Sequence, residues 1–227
     1  MTPTIAISTH TAFVPIGLIE AWVPAAQLAL SRDFAPHWGD ARLRFVRPGE
    51  AIGPDEWQLV MFDRSDQAEA LGYHETSPSG LPLGKVFLRD CIESRENWNC
   101  TATHEIYEML ADPDIDQTVT HDGWEYAKEV ADPPEDDRYA QRVGGHLASN
   151  FVLPSWFDPN GVAPFTAYPC PEITAPFMLA PGGYIGRRRL PDGEWQQALA
   201  REPGSRQVKP AYSRTLRRFA TLAPPVA

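Results

Sequence analysis

Thr103-His104-Glu105-Ile106-Tyr107-Glu108-Met109-Leu110-Ala111-Asp112-Pro113 is the stretch from which the fold is read. Residues four apart lie on one face of an α-helix. His104 and Glu108 therefore aim an imidazole nitrogen and a carboxylate oxygen at one point, while Glu105 projects about 100° away around the axis. Thr101 or Thr103 is placed to cap the helix start. Asp112-Pro113 ends it, because proline disfavours helix at the residue before it. The spacing predicts a metal-site helix over about 102–112, roughly three turns.

An imidazole and a carboxylate four residues apart form half of a metal site. The arrangement is that of an H-E-x-x-H metal helix with glutamate in place of the second histidine. Zinc accepts carboxylate oxygen as well as imidazole nitrogen, and a site with two carboxylates and one histidine also suits other divalent transition metals. A hydrolytic site needs a third protein donor and an open position for water. Glu129, in Glu129-Val130-Ala131-Asp132 and 21 residues beyond Glu108, is the favoured third donor. Asp132 and Asp112 are placed to support the donors from behind. Asp114, His121 and His146 are competing third donors. Glu105 can sit beside the ion without being a ligand.

Working outward, Thr4–Ser8, Leu43–Val46, Gln58–Asp63 and Lys85–Arg89 read as strands, with a turn-rich loop at Ser77–Pro82. Ile16–Phe34 reads as a helix, with Ile19, Trp22, Val23, Ala26, Leu30 and Phe34 at three- and four-residue steps. Pro24 within it predicts a kink or a late start. A strand is expected at Leu147–Leu153, proline-rich ordered loops from Pro154 to Gly186, and a weak helix at Glu194–Arg201. The order predicts an α+β fold: a small mixed sheet with a backing helix and a metal-site helix, then a loop-rich C-terminal part. Residues 1–202 are expected to form one domain, and 203–227 a basic arm or tail.

Composition narrows the function. The net charge of −10 argues against general nucleic-acid binding, which needs a basic surface. Twelve acidic residues fall between Glu105 and Asp137, whereas Pro181–Ala227 carries nine Lys/Arg against three acids, so only this weakly basic end suits an acidic partner. No stretch reaches the roughly 18 apolar residues of a membrane span, and the N-terminus has no basic, apolar leader. A cytoplasmic or virion-associated protein is expected. Three cysteines without a CxxC pair suit a reducing compartment, with a Cys91–Cys100 bridge left open. There is no D-x-D-x-D-G calcium loop and no G-x-S-x-G nucleophile elbow.

The string from Thr103 to Pro113, followed by Glu129-Val130-Ala131-Asp132, resembles a group of zincin-like proteins. In these an S/T-H-E-x-x-E-x-x-x-D-P helix precedes an E-x-x-D segment. Similar strings occur in uncharacterised phage and bacterial proteins and, more loosely, in plant exordium-like proteins. The resemblance covers roughly Thr4–Asp132, and Asn150–Asp158 is also similar to the phage and bacterial set. It implies one zinc ion on His104 and Glu108 with Glu129 as third ligand, Glu105 as catalytic base, and a peptide or protein substrate. It also implies an edge strand just before the metal helix, a place Lys85–Arg89 occupies in the sequence. His74, Tyr107, Tyr126, His146 and Tyr184 are expected oxyanion donors, without a ranking. Gly182-Gly183-Tyr184 is a candidate pocket rim, and Met178 invites comparison with the methionine turn beneath some zincin sites. The alternative function is an inactive, metal-stabilised structural or interaction protein.

Overall fold

Ile5, Ala6 and Ile7 are consecutive and fully buried, the pattern of a strand covered on both faces. They form the middle of β1 (Thr4–Thr9). In this computed structural model, which describes residues 2–67 and 70–200, β1 pairs in parallel with β2 (Arg42–Phe45) and β3 (Trp57–Phe62). β4 (Gly72–Thr76) and β5 (Pro82–Phe87) complete a five-stranded mixed sheet in the order β2-β1-β3-β5-β4. β5 runs parallel to β3, and β4 is its antiparallel edge partner.

The crossover from β1 to β2 is α1 (Ile16–Ala29), which buries Ile19, Trp22, Val23 and Ala26 at the expected steps. Pro24 lies inside it without delaying its start at Ile16. The last turn widens into a π-helical segment, Leu30–Phe34, closed by the bond from the Ala35 N–H to the Leu30 carbonyl at 2.8 Å. After α2 (Leu88–Glu93), α3 (Trp98–Ala111) meets α1. Trp22 and Trp98 pack edge to face at 5.5 Å, and Phe34 stacks on Tyr107 at 4.4 Å. Each such aromatic pair contributes about 0.5–1.5 kcal/mol beyond its buried area.

Beyond α3 an antiparallel sheet forms in the order β11-β10-β7-β6, from β6 (Thr118–His121), β7 (Trp124–Ala127), β10 (Tyr184–Arg189) and β11 (Trp195–Leu199). A two-stranded hairpin joins β8 (Gln141–Val143) to β9 (His146–Ala148). The chain is α+β, with several sheets and few helices. Among the described residues no helix is long and apolar enough to cross a membrane.

Several expectations are corrected. The edge strand is β4, not Lys85–Arg89: β5 lies inside the sheet, and Leu88 and Arg89 open α2. β4 escapes a pattern search because Gly72-Tyr73-His74-Glu75-Thr76 offers one apolar side chain in five. α3, the helix expected to carry the metal site, begins at Trp98 and is capped by Asn97, whose side chain accepts from the Asn99 N–H at 3.1 Å. Thr103 is an interior residue: its hydroxyl lies 3.0 Å from the carbonyls of Asn99 and Cys100 and accepts from the Ser149 N–H at 2.8 Å. In place of the expected helix at 194–201, Trp195–Leu199 form β11 and pair with β10; residue 201 lies outside the described residues. The expected strand at 147–153 divides into β9 and an isolated bridge from Val152 to Thr166. Cys91, Cys100 and Cys170 are buried and not joined by a disulfide among the described residues, which closes the open question of a Cys91–Cys100 bridge. The segment 203–227 lies outside the described residues.

Candidate metal centre

α3 is buried along almost its whole length, including its polar residues. His104 is 3% exposed and Glu105 and Glu108 are fully buried. Such burial requires strands to approach the helix closely, and two glycines allow it. A Cβ on Gly72 of β4 would lie 2.6 Å from Glu105 Oε1 and 2.8 Å from Thr101 Cγ2. A Cβ on Gly84 of β5 would lie 2.7 Å from Leu59 Cδ1 and 2.8 Å from Met109 Sδ. The helix and its charges thus lie directly on β4 and β5.

Three further donors come from outside the helix. His74 projects from β4, its imidazole 3% exposed. Glu129 and Asp132 follow β7, where the chain bends at 130–132, and both are buried. Two backbone bonds from distant segments hold this stretch. The Val152 N–H donates to the Val130 carbonyl at 2.8 Å, and the Tyr184 N–H donates to the Asp132 carbonyl at 3.1 Å. The strings around Asn150 and Gly182-Gly183-Tyr184 therefore position the carboxylate-bearing segment.

Around these residues the donors fall into two groups. His104 Nε2 lies 3.0 Å from Glu108 Oε1 and 3.2 Å from Asp132 Oδ1. His74 Nδ1 lies 3.5 Å from Glu108 Oε2 and 3.6 Å from Glu105 Oε2, while its Nε2 lies 3.9 Å from Glu129 Oε2. His104, Glu108 and Asp132 form one set with metal-ligand spacing, and His74, Glu108 and Glu129 form another.

Two carboxylate oxygens converge on one His104 nitrogen, which carries at most one proton. Both oxygens of Asp132 and both ring nitrogens of His74 are buried without a hydrogen-bond partner. Burying carboxylates that lack hydrogen bonds is costly, and a cation between them offsets that cost. Burial pushes the Glu108 carboxyl above the usual carboxylate range, the neighbouring Asp132 adds to this, and His104 opposes it. Two bonds of about 2.1 Å at a tetrahedral angle put donor atoms about 3.4 Å apart, and the observed spacings bracket that value. The residues present fit a divalent ion.

No protein-family model matches the chain, and no curated protein or solved structure matches it. The site therefore rests on its own geometry.

Of the sequence-predicted donors, His104 and Glu108 come together, and Asp132 rather than Glu129 completes their set. Glu129 is brought to the same centre but joins His74. Asp112 turns away: its carboxylate accepts from the N–H groups of Asp116 and Gln117, closing the turn after α3. Asp114, His121 and His146 belong to neither set among the described residues. His121 stacks on Phe177 at 4.5 Å. Tyr107 is enclosed by Phe34 and Phe151, and Tyr126 packs on Phe177. Met178 is 39% exposed and accepts a bond from Trp156 Nε1 through its carbonyl, so it does not underlie the site.

His74 is the donor that sequence reasoning did not place, having cast it only as an oxyanion donor. The signal available was a histidine flanked by Gly72 and Glu75 before a turn, which is weak without the sheet register. A cavity of about 130 Å³ reaches His104 and is walled by Glu96, Thr101, Asp136, Asp137 and Ser149. It is large enough for ordered water.

Proposed function

We propose that the chain is a zincin-like, zinc-dependent hydrolase that cleaves peptide bonds, with His104, Glu108 and Asp132 as metal donors and Glu105 as base. The observation that carries this reading is the convergence of Glu108 and Asp132 on His104 Nε2 at 3.0 and 3.2 Å, with His104 also lining a cavity of about 130 Å³. The scaffold agrees with it: a mixed sheet whose antiparallel edge strand, β4, lies beside the metal-site helix. When bound, zinc supplies Lewis acidity and makes water a nucleophile near neutral pH.

The remaining chemistry belongs to side chains. Glu108 and Asp132 hold the donor geometry, and the backbone bonds at Val130 and Asp132 fix the second of them. Glu105, one residue along α3 from His104, accepts the proton of the attacking water and returns it to the leaving nitrogen. Two anionic donors leave the centre more electron-rich than a three-histidine site, so slow turnover is expected.

A second reading is favoured by burial. Every donor residue on α3 and after β7 is at most 3% exposed, which suits a closed metal centre that stabilises the fold without turnover. Metal analysis of the untagged protein, paired with a peptide-cleavage assay of the parent and Glu105→Gln, separates the readings. Zinc retained in the variant at the parent's level, with cleavage lost by a factor of roughly 10² or more, supports hydrolysis. Bound zinc with no cleavage by the parent supports the closed centre. A parent that neither carries nor takes up metal sinks both.

A further inference from the structure

We infer that the protein holds a second divalent transition-metal ion, on His74, Glu108 and Glu129, with Glu108 bridging the two ions. The inference rests on the metal reading above, because the two ions share Glu108. Its oxygens divide between the two groups, Oε1 facing His104 and Oε2 facing His74, at 3.0 and 3.5 Å. A carboxylate with one oxygen toward each of two nitrogens is shaped to join two ions.

The independent observation is His74. Its side chain is 3% exposed, both ring nitrogens lack a hydrogen-bond partner, and it points into three carboxylates. A neutral imidazole has one N–H and one lone pair, and ordinary packing satisfies both when it is buried. Here Nδ1 faces oxygens of Glu105 and Glu108 at 3.6 and 3.5 Å, and Nε2 faces Glu129 at 3.9 Å. These separations exceed hydrogen bonds, and one ring nitrogen of His74 with one oxygen each of Glu108 and Glu129 lie within 4.8 Å of one another, so a single nitrogen and two carboxylates can face one ion. Imidazole with carboxylate oxygen selects zinc, manganese or cobalt over calcium, which prefers oxygen alone.

The test is metal stoichiometry on the full chain, stripped with chelator, reloaded with Zn(II), dialysed and measured by elemental mass spectrometry. The parent is expected to hold two zinc ions per chain, His74→Ala one, and His104→Ala one. One ion in the parent, unchanged in His74→Ala, overturns the inference and leaves the His104 site standing. Two ions in both the parent and His74→Ala overturn the assignment to His74. No ion in the parent overturns both sites. Should His74→Ala fail to fold, Glu129→Gln probes the same donor set. Mn(II) loading of the parent reads the bridge directly: exchange-coupled manganese in the EPR spectrum supports it, and only isolated six-line signals refute it.

Discussion

Two halves of the candidate metal centre reach it by opposite routes. His104, Glu105 and Glu108 arrive together on little more than one turn of α3, and their relation is set by the helix period alone. His74, Glu129 and Asp132 arrive from an edge strand and a bent segment, and their positions depend on contacts far away in sequence. The Val152 and Tyr184 N–H groups and the two glycines beneath α3 supply those contacts. The helical half is fixed once the helix forms, whereas the other half exists only when the whole fold is assembled.

The largest expected effect comes from removing what joins the halves. If an ion binds both, it stabilises the folded chain by about 4 kcal/mol at a thousandfold excess over its Kd. For a chain of this size each kcal/mol shifts Tm by about 2–4 °C, so chelation should lower Tm by roughly 8–16 °C. Zinc should restore it in scanning calorimetry, and Glu108→Ala should show no response to zinc. An unchanged Tm on chelation would mean that the two halves are held by packing alone.

A smaller effect should separate the glycines. A methyl group at Gly72 meets Glu105 and Thr101, whereas one at Gly84 meets Leu59 and Met109 in the core. Both substitutions to alanine overpack and should cost about 1–3 kcal/mol in urea unfolding. Only Gly72→Ala pushes on the centre, so it should also weaken zinc binding, roughly 10–100-fold by competition titration, as disturbances of ligand support do. Equal affinity in the two variants would show that β4 does not set the donor positions.

The same division explains how much was legible in the sequence. His104, Glu105 and Glu108 could be read because helical spacing is local. The chain end of α3 at Asp112-Pro113 was legible for the same reason, since proline acts on its neighbour. The five-stranded sheet was visible where strands are apolar, as in β1 and β3, and invisible at β4, where only Tyr73 is apolar. The β6–β7 hairpin carried a readable signal, Asp122-Gly123, whose φ values of 48° and 73° are those of a tight hairpin turn. The choice between Glu129 and Asp132 was not legible. Three residues apart in a bent, non-helical segment, they have no period relating them to α3, and the bonds from Val152 and Tyr184 decide which carboxylate meets His104.

The smallest effect tests the independence of the helical half. Asn97 caps α3 almost two turns before His104, and its side chain accepts from the Asn99 N–H. Asn97→Ala should cost about 1 kcal/mol, or roughly 2–4 °C in Tm. The backbone N–H of residue 97 keeps its own bond to Asp137 Oδ2 at 2.8 Å, so the start of the helix stays tied to the cavity wall without the cap. Zinc affinity should therefore match that of the parent in the same titration. A loss of affinity would mean that fraying at the first turn reaches His104, and α3 would then be held by its ends rather than fixed by its own period.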